Sequence, residues 1–251
     1  MGINAVVHMA SNKASSTLFQ VSLLQALALG DYDGSISLGE LKKHGDIGIG
    51  TFDGLDGEMI MLDGIVYKAS ADGKVYQMKD EETTPFANVT FAKDDSFEFV
   101  STDSMKDLDE TLTGIVSKKG INCVHFVKIG GTFRSIRLRS VPKQSKPYRG
   151  LVDTLSTDQV EWTPKDIKGT IVGLYCPSYM GMINNHGWHL HFVSDDRNIG
   201  GHVLDVSMKN VLCKFTSVDK LELILPDRPS FHSLDLSVDQ NKDIKKIEGS
   251  E

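Results

Sequence analysis

The chain has 251 residues, of which 40% are hydrophobic and 24% charged, and its formal net charge at pH 7 is -7. This composition is typical of a compact globular protein with one large or two smaller domains, and it excludes a disordered or fibrous chain. The acidic balance argues against general binding to nucleic acid or anionic lipid. No run of about 18 apolar residues predicts a membrane span.

The cysteines and the first residues bear on the cellular compartment. Cys123, Cys176 and Cys213 stand in apolar surroundings without CxxC spacing, so we expect buried free thiols in a reducing compartment. The N-terminal residues lack a basic segment followed by an apolar run, the pattern of a secretory signal. A cytoplasmic location is therefore expected.

The N-terminal part of the chain alternates between predicted helices and short strands. Apolar residues at helical spacing predict a helix over 16–29, and a second helix is predicted over 38–45. Glycine-punctuated alternating runs over 45–78 predict strands, with Asp72 and Gly73 in a hairpin turn. After another alternating run, residues 103–120 have a helical period and end at a glycine.

The following residues are predicted to be mainly strands. Residues 122–141 alternate, and a loop-like segment follows them. We therefore predict an α+β (mixed α/β) fold with two β-rich lobes and few helices. The predicted lobes are an N-terminal mixed sheet with helices over 1–142 and a C-terminal β-rich, metal-binding lobe with a functional tail over 143–251. One continuous domain is the alternative.

Four of the eight histidines lie between positions 186 and 202. In "GWHLHFV", a strand would place the apolar side chains on one face and both His189 and His191 on the other. The following "SDDRNIGG" has the composition of a turn, and a hairpin centred near Arg197 would bring His202 opposite or diagonal to His191. His186 has the wrong parity for this face and is left out of the predicted site.

Three neutral imidazoles with one open position are the ligands that catalytic zinc requires. A structural zinc site would need a fourth side chain, such as Cys176, and surface histidines on a strand are the simplest alternative. A cupin oxygenase would need a glutamate shortly after the second histidine, where this chain has Asp195 and Asp196. The acidic stretch from Asp31 to Glu40 does not have the spacing of a calcium loop.

A run without acidic residues contains six basic side chains. They are Arg134, Arg137, Arg139, Lys143, Lys146 and Arg149. Few aromatic residues are interleaved, so the pattern is not that of a nucleic-acid surface. Two interpretations stay open: a solvated basic edge, or one or two arginines that face an anionic substrate.

Three long blocks resemble the α-acetolactate decarboxylase family. They are residues 23–68, which begin "LLQALALGDYDG", the segment "RLRSVPKQSKPY", and "GWHLHFVSDDRNIGGHVLD". The resemblance implies that His189, His191 and His202 bind zinc. It also implies active-site roles for Glu58, Arg139 and Thr51, and for the tail residue Glu248, with Glu251 as the alternative tail carboxylate.

The same resemblance implies decarboxylation of 2-acetolactate to acetoin and carbon dioxide by a homodimer. Arg139 would orient the substrate, and Glu58 and Glu248 would position its hydroxyl or relay a proton. Two alternatives belong to other classes: a zinc hydrolase or hydratase that uses metal-bound hydroxide, and a non-catalytic zinc protein with a closed four-ligand site.

Overall fold

The computed structural model describes residues 16–237, which form fifteen strands and five α-helices, numbered here in chain order, and one 3-10 helix (Ser178–Met180). The strands are β1 (Thr17–Val21), β2 (Ile36–Ser37), β3 (Ile47–Thr51), β4 (Glu58–Leu62), β5 (Ile65–Ala69), β6 (Val75–Gln77), β7 (Thr83–Thr84), β8 (Ala87–Thr90), β9 (Ser96–Thr102), β10 (Val124–Ser140), β11 (Val160–Trp162), β12 (Lys165–Cys176), β13 (Gly187–Ser194), β14 (Gly200–Val218) and β15 (Lys220–Ile224). The helices are α1 (Leu24–Ala28), α2 (Leu38–Leu41), α3 (Met105–Gly120), α4 (Leu151–Asp158) and α5 (Pro229–His232).

The strands form two large sheets and one small ribbon. The first sheet has the order β15-β1-β8-β3-β4-β5-β6, and the second has the order β11-β10-β12-β13-β14-β9. In the second sheet β10 also pairs with β14, so β10, β12, β13 and β14 form a closed ring of strand pairings. β2 and β7 form the ribbon. The predicted α+β class, rich in strands and poor in helices, is confirmed.

The two sheets share a hydrophobic core, which brings strands β3 to β5 close to strands β12 to β14. Ile49 and Ile60 of the first sheet pack in the same cluster as Val172 and Val193 of the second. The closed part of the second sheet has its own core, to which α3 adds three side chains one helical turn apart. These are Leu108, Leu112 and Val116. The shared core is what places β4 beside β13.

The predicted helix over 16–29 is wrong in its first half, where the chain forms strand β1. β1 lies between β15 and β8, and Leu18 to Val21 are all buried, so apolar residues occupy both faces of the strand. An apolar run without alternation is compatible with either a helix or a buried strand. Ser22, with φ of 61°, ends the strand, and only α1 is helical.

The other two predicted helices are found, one of them shortened. α2 covers only the first turn of the predicted 38–45, where the Ser37 hydroxyl accepts a hydrogen bond from the Glu40 amide. α3 matches the predicted 103–120 closely, because Ser104 caps its N-terminus and Gly120 ends it with a φ of 135°. Within residues 16–237, no helix is long and apolar enough to cross a bilayer.

Strand pairing crosses the predicted boundary between residues 142 and 143. β9 and β10 precede the boundary and pair with strands that follow it, whereas β15 follows it and pairs with β1. The division into two lobes or one continuous domain stays a prediction.

Candidate active site

The hairpin of β13 and β14 brings three imidazoles together. His189 and His191 lie on one face of β13, and His202 is directly opposite His191 in the register of the two strands. The Nε2 atoms of His189 and His191 are 3.0 Å apart, and His202 Nδ1 is 3.2 Å from His189 Nε2. The predicted convergence of the three side chains is confirmed.

The turn between these strands is fixed by its own side chains. The Ser194 hydroxyl donates to Asp196 and accepts hydrogen bonds from the backbone amides of Asn198 and Ile199. Arg197 adopts a φ of 57°, which completes the reversal near the predicted centre. The local sequence therefore sets the register that pairs His191 with His202.

The backbone determines which nitrogen of His191 faces the cluster. Its Nδ1 lies 2.7 Å from the carbonyl oxygen of Met59, and because a carbonyl only accepts, Nδ1 carries the proton. The Nε2 lone pair then points toward His189. A hydrogen bond of this kind on the outer nitrogen is the usual support of a metal-binding imidazole.

Burial favours the neutral form of His189 and His202, which is the form that metal ions bind. Burial, and to a smaller extent the positive charge of Arg139, lowers the pKa of His189 to about 3. Burial is also the main reason that the pKa of His202 lies well below its usual range. The positive charge of Arg139 and the neighbouring His189 and His191 lower this pKa further. Neutral nitrogens are therefore available at neutral pH without loss of a proton.

The three residues fit a metal ion. All their donor atoms lie within 4.8 Å of one another, and nitrogens bound to tetrahedral zinc at about 2.0–2.1 Å are spaced by roughly 3.3 Å. Within residues 16–237, no cysteine lies close enough to these histidines to belong to the group. Cys176, considered as a fourth ligand, is a buried core residue whose thiol pKa is raised by burial.

Two residues of the first sheet complete one side of the site. Thr51 on β3 and Glu58 on β4 are opposite each other in the strand register. A Glu58 carboxylate oxygen lies 3.4 Å from His191 Nε2, at the edge of the imidazole group. The Thr51 hydroxyl donates to the carbonyl of Gly57, so its oxygen can still accept a hydrogen bond.

Arg139 enters the site from β10, opposite His202. Its side chain is buried, at 3% exposure, and it donates a hydrogen bond to Gln159 Oε1 at 3.2 Å. Arg137, which strand parity also allowed to reach the cleft, is half exposed and pairs with Glu161. Arg139 lines the cavity of the site and Arg137 does not.

The remaining basic side chains of this run fit the solvated-edge interpretation. Each forms an ion pair with a nearby acid: Arg134 with Asp103, Lys143 with Asp53, Lys146 with Asp33, and Arg149 with Asp158. The basic run thus separates into a buried guanidinium at the site and a surface network of ion pairs.

These groups line a cavity that is partly open to solvent. Its polar side contains Thr51, Glu58, Arg139, His189 and His202. Its other side is apolar, and is formed by Leu24, Leu27, Leu55, Phe86, Val141, Leu151 and Leu155. A few polar groups therefore converge beside an apolar wall, which is the arrangement of a small-molecule site.

Some predicted residues do not lie at this site, and some residues of the site were not predicted from the sequence. His186 precedes β13 and does not belong to the imidazole cluster. Glu248 and the alternative Glu251 lie outside the described residues. The sequence did not predict Gln159, which contacts Arg139, or the apolar wall formed by α1 and α4. The one sequence signal for this wall was the i, i+4 spacing of Leu151 and Leu155, which is typical of one face of a helix.

Comparison with known proteins assigns the family. The family model for alpha-acetolactate decarboxylase matches residues 18–238. The chain belongs to the alpha-acetolactate decarboxylase family. A relative of that name from Methanosarcina mazei is 41% identical over 241 residues, which cover 95% of this chain and 82% of the relative. Another from Bacillus licheniformis is 34% identical and covers 90% and 88% of the two chains.

Solved structures agree with this assignment. The crystal structure of alpha-acetolactate decarboxylase from Bacillus subtilis strain 168 matches with a TM-score of 0.89 and 33% identity, and the match covers 93% of this chain and 99% of that one. A Staphylococcus aureus protein described as similar to alpha-acetolactate decarboxylase matches with a TM-score of 0.87 and 31% identity. The fold described above is therefore the fold of this family.

Proposed function

We propose that this protein converts 2-acetolactate to acetoin and carbon dioxide, with zinc held by His189, His191 and His202. The observation that carries the proposal is the set of three buried imidazoles next to Arg139 and Glu58, of which His189, His202, Arg139 and Glu58 line one cavity. Membership of the family supports the choice of substrate.

The chemistry of the substrate explains why this group of residues suits it. 2-Acetolactate has a ketone next to the carbon that carries both the carboxylate and a hydroxyl. When carbon dioxide leaves, the electron pair of the broken bond moves toward the ketone oxygen, and the new carbon centre then takes a proton. Zinc, when bound, supplies a Lewis acid that stabilises the negative charge on oxygen.

Arg139 is suited to orient the anionic substrate and to stabilise the charge that develops. A planar guanidinium can hold two oxygens in a fixed plane. Burial strengthens this interaction because water does not screen the charge. The hydrogen bond to Gln159 restricts the rotation of the guanidinium.

Glu58 is suited to position the substrate hydroxyl or to move its proton. Its carboxylate lies beside His191 at the polar side of the cavity. A substrate group that contacts the imidazoles would therefore also lie within reach of this carboxylate. Thr51 faces it across β3 and β4 and offers a hydroxyl oxygen as an acceptor. We propose Glu248 as a second carboxylate for the same proton relay, on the basis of the family resemblance.

The decisive experiment measures acetoin and carbon dioxide formed from 2-acetolactate by the purified protein, before and after treatment with a chelator. Activity that is lost with the chelator and restored by zinc supports the proposal. A hydrolase or hydratase would release no carbon dioxide from this substrate. Metal analysis should give about one zinc per chain, and a chain without bound metal but with full activity would overturn the assignment of zinc.

The tail requires a separate test. A chain truncated before Glu248 is expected to fold and to bind zinc, yet to turn over more slowly because it lacks the second carboxylate. Glu251→Gln serves as the control, since it removes the alternative carboxylate and leaves Glu248. An unchanged rate in the truncated protein would remove the tail from the mechanism.

We also propose a homodimer in the cytoplasm. The dimer is inferred from the family resemblance, and light scattering of the purified protein tests it. The three free cysteines support a reducing compartment, where thiols of this kind persist. Fractionation of the source cells tests the location.

A further inference from the structure

The helix α1 carries two leucines of the cavity wall but has little intrinsic stability. It is five residues long, and Leu23 at its N-cap provides no side-chain hydrogen bond. Helices of this length do not persist alone in water, so neighbouring groups must hold α1 in place. Leu24 and Leu27 lie on its cavity side, opposite the polar groups of the site.

Residues 226–237, named here the C-terminal strap, attach to the end of α1 through an ion pair. Arg228 Nε donates to Asp31 Oδ1 at 3.1 Å, and a terminal nitrogen of the same guanidinium donates to Asp31 Oδ2 at 2.6 Å. The Asp31 side chain is only 3% exposed. A buried, two-point pair of this kind fixes the relative orientation of the two segments it joins.

Other hydrogen bonds support this attachment. The Gln25 side chain on α1 donates to the carbonyl oxygen of Leu236 at 3.1 Å. Arg228 also donates to the hydroxyl of Ser35, which follows the same turn. The strap therefore holds α1 at the helix itself and at the residues that follow it.

We propose that Arg228 and Asp31 are positioning residues: their ion pair holds α1 as a fixed wall of the cavity and so determines how closely the cavity encloses the alkyl part of the substrate. The inference rests on the proposed decarboxylation. Removal of one partner leaves a buried charge uncompensated, which favours movement of the segment that carries it. Leu24 and Leu27 would then withdraw from the substrate, while the imidazoles, Glu58 and Arg139 stay on their strands.

Two variants of the strap test this role, with one matched control. Arg228→Met removes the guanidinium at similar length, and Arg228→Lys keeps its charge but loses the two-point contact. Arg134→Met removes an arginine from the exposed ion pair with Asp103, remote from the cavity. The measurements are kcat and KM for 2-acetolactate and for a homologue with a propyl group in place of the methyl group on the carbon that carries the carboxylate, together with zinc content and Tm.

We expect Arg228→Met to raise KM for 2-acetolactate at least about fivefold, with zinc content unchanged and a smaller change in kcat, because binding contacts to the wall are lost. The preference for 2-acetolactate over the propyl homologue should fall about fivefold, since a displaced wall discriminates size less well. Arg228→Lys should be intermediate, and Arg134→Met should match the wild type.

If the ion pair only stabilises the fold, its loss would lower Tm but leave KM and the size preference unchanged in protein kept well below its melting temperature. This result would overturn the proposal.

Hydrogen exchange distinguishes a failure of this proposal from a failure of the proposed function. Without any substrate, Arg228→Lys should speed exchange of the α1 amides and leave α3, which packs in a different core, unaffected. Unchanged exchange overturns the strap, whereas a wild-type protein that forms no acetoin overturns only the decarboxylation.

Discussion

The two sides of the cavity are built differently. The polar side consists of residues on strands: Thr51 and Glu58 on the first sheet, and Arg139, His189 and His202 on the second. Much of the apolar side comes from the short helices α1 and α4, which are held by side-chain contacts and not by a ladder of backbone hydrogen bonds. Strands fix the direction of each side chain through register. The reactive groups are therefore rigidly placed, and the enclosing wall is the part that variants can move.

The strand side should give the largest effect when a proposed metal ligand is removed. His202→Ala is expected to abolish stoichiometric zinc and lower kcat/KM by about a thousandfold or more, because Lewis acid stabilisation contributes several kcal/mol. His186→Ala is the control and should retain full zinc and activity. Normal zinc in the His202 variant would contradict the three-imidazole site.

Glu58→Gln is expected to lower kcat by about a hundredfold at unchanged zinc content, because the amide keeps the size of the side chain but does not relay a proton. Metal analysis and steady-state kinetics check both parts. The carboxylate lies 3.4 Å from His191 Nε2, so loss of zinc in this variant would indicate that Glu58 acts as a ligand.

Arg139→Lys should lower kcat/KM by at least about tenfold, the equivalent of about 1.4 kcal/mol of transition-state stabilisation. The lysine keeps the charge but loses the planar group that holds two oxygens. Arg137→Lys, on the same strand and half exposed, should change little. Equal small effects at the two positions would place Arg139 in the basic edge with its neighbours.

On the wall, Leu155→Ala should give the smallest kinetic effect, a rise in KM of about threefold with kcat nearly unchanged, because only apolar contact is lost. Leu112→Ala on α3 removes the same atoms from a core remote from the cavity. Both substitutions are expected to cost about 2–5 kcal/mol of folding free energy. Measurements of KM and urea unfolding distinguish them, and an equal KM in both variants would show that α4 does not enclose the substrate.

Local patterns in the sequence predicted the elements whose partners are close along the chain. Alternation in "GWHLHFV" and the turn after it predicted the common face of His189 and His191 and the approach of His202. The helix at 103–120 followed from its apolar period and its end at Gly120. The helix predicted over residues 16–21 is wrong because β1 is buried on both faces, and its sequence TLFQV shows no alternation of apolar and polar residues.

The sequence by itself determined the imidazole group, because strand periodicity and one short turn control all three side chains. Only the tertiary structure decided what surrounds that group. Met59, whose carbonyl fixes His191, is 132 positions away from it, and the shared core of the two sheets brings the two residues together. Arg139 lies at the cavity whereas Arg137 lies at the surface, and Asp31, which follows α1, pairs with Arg228 at a sequence separation of 197. Contacts of this range depend on packing and not on local periodicity, so no pattern along the chain encodes them.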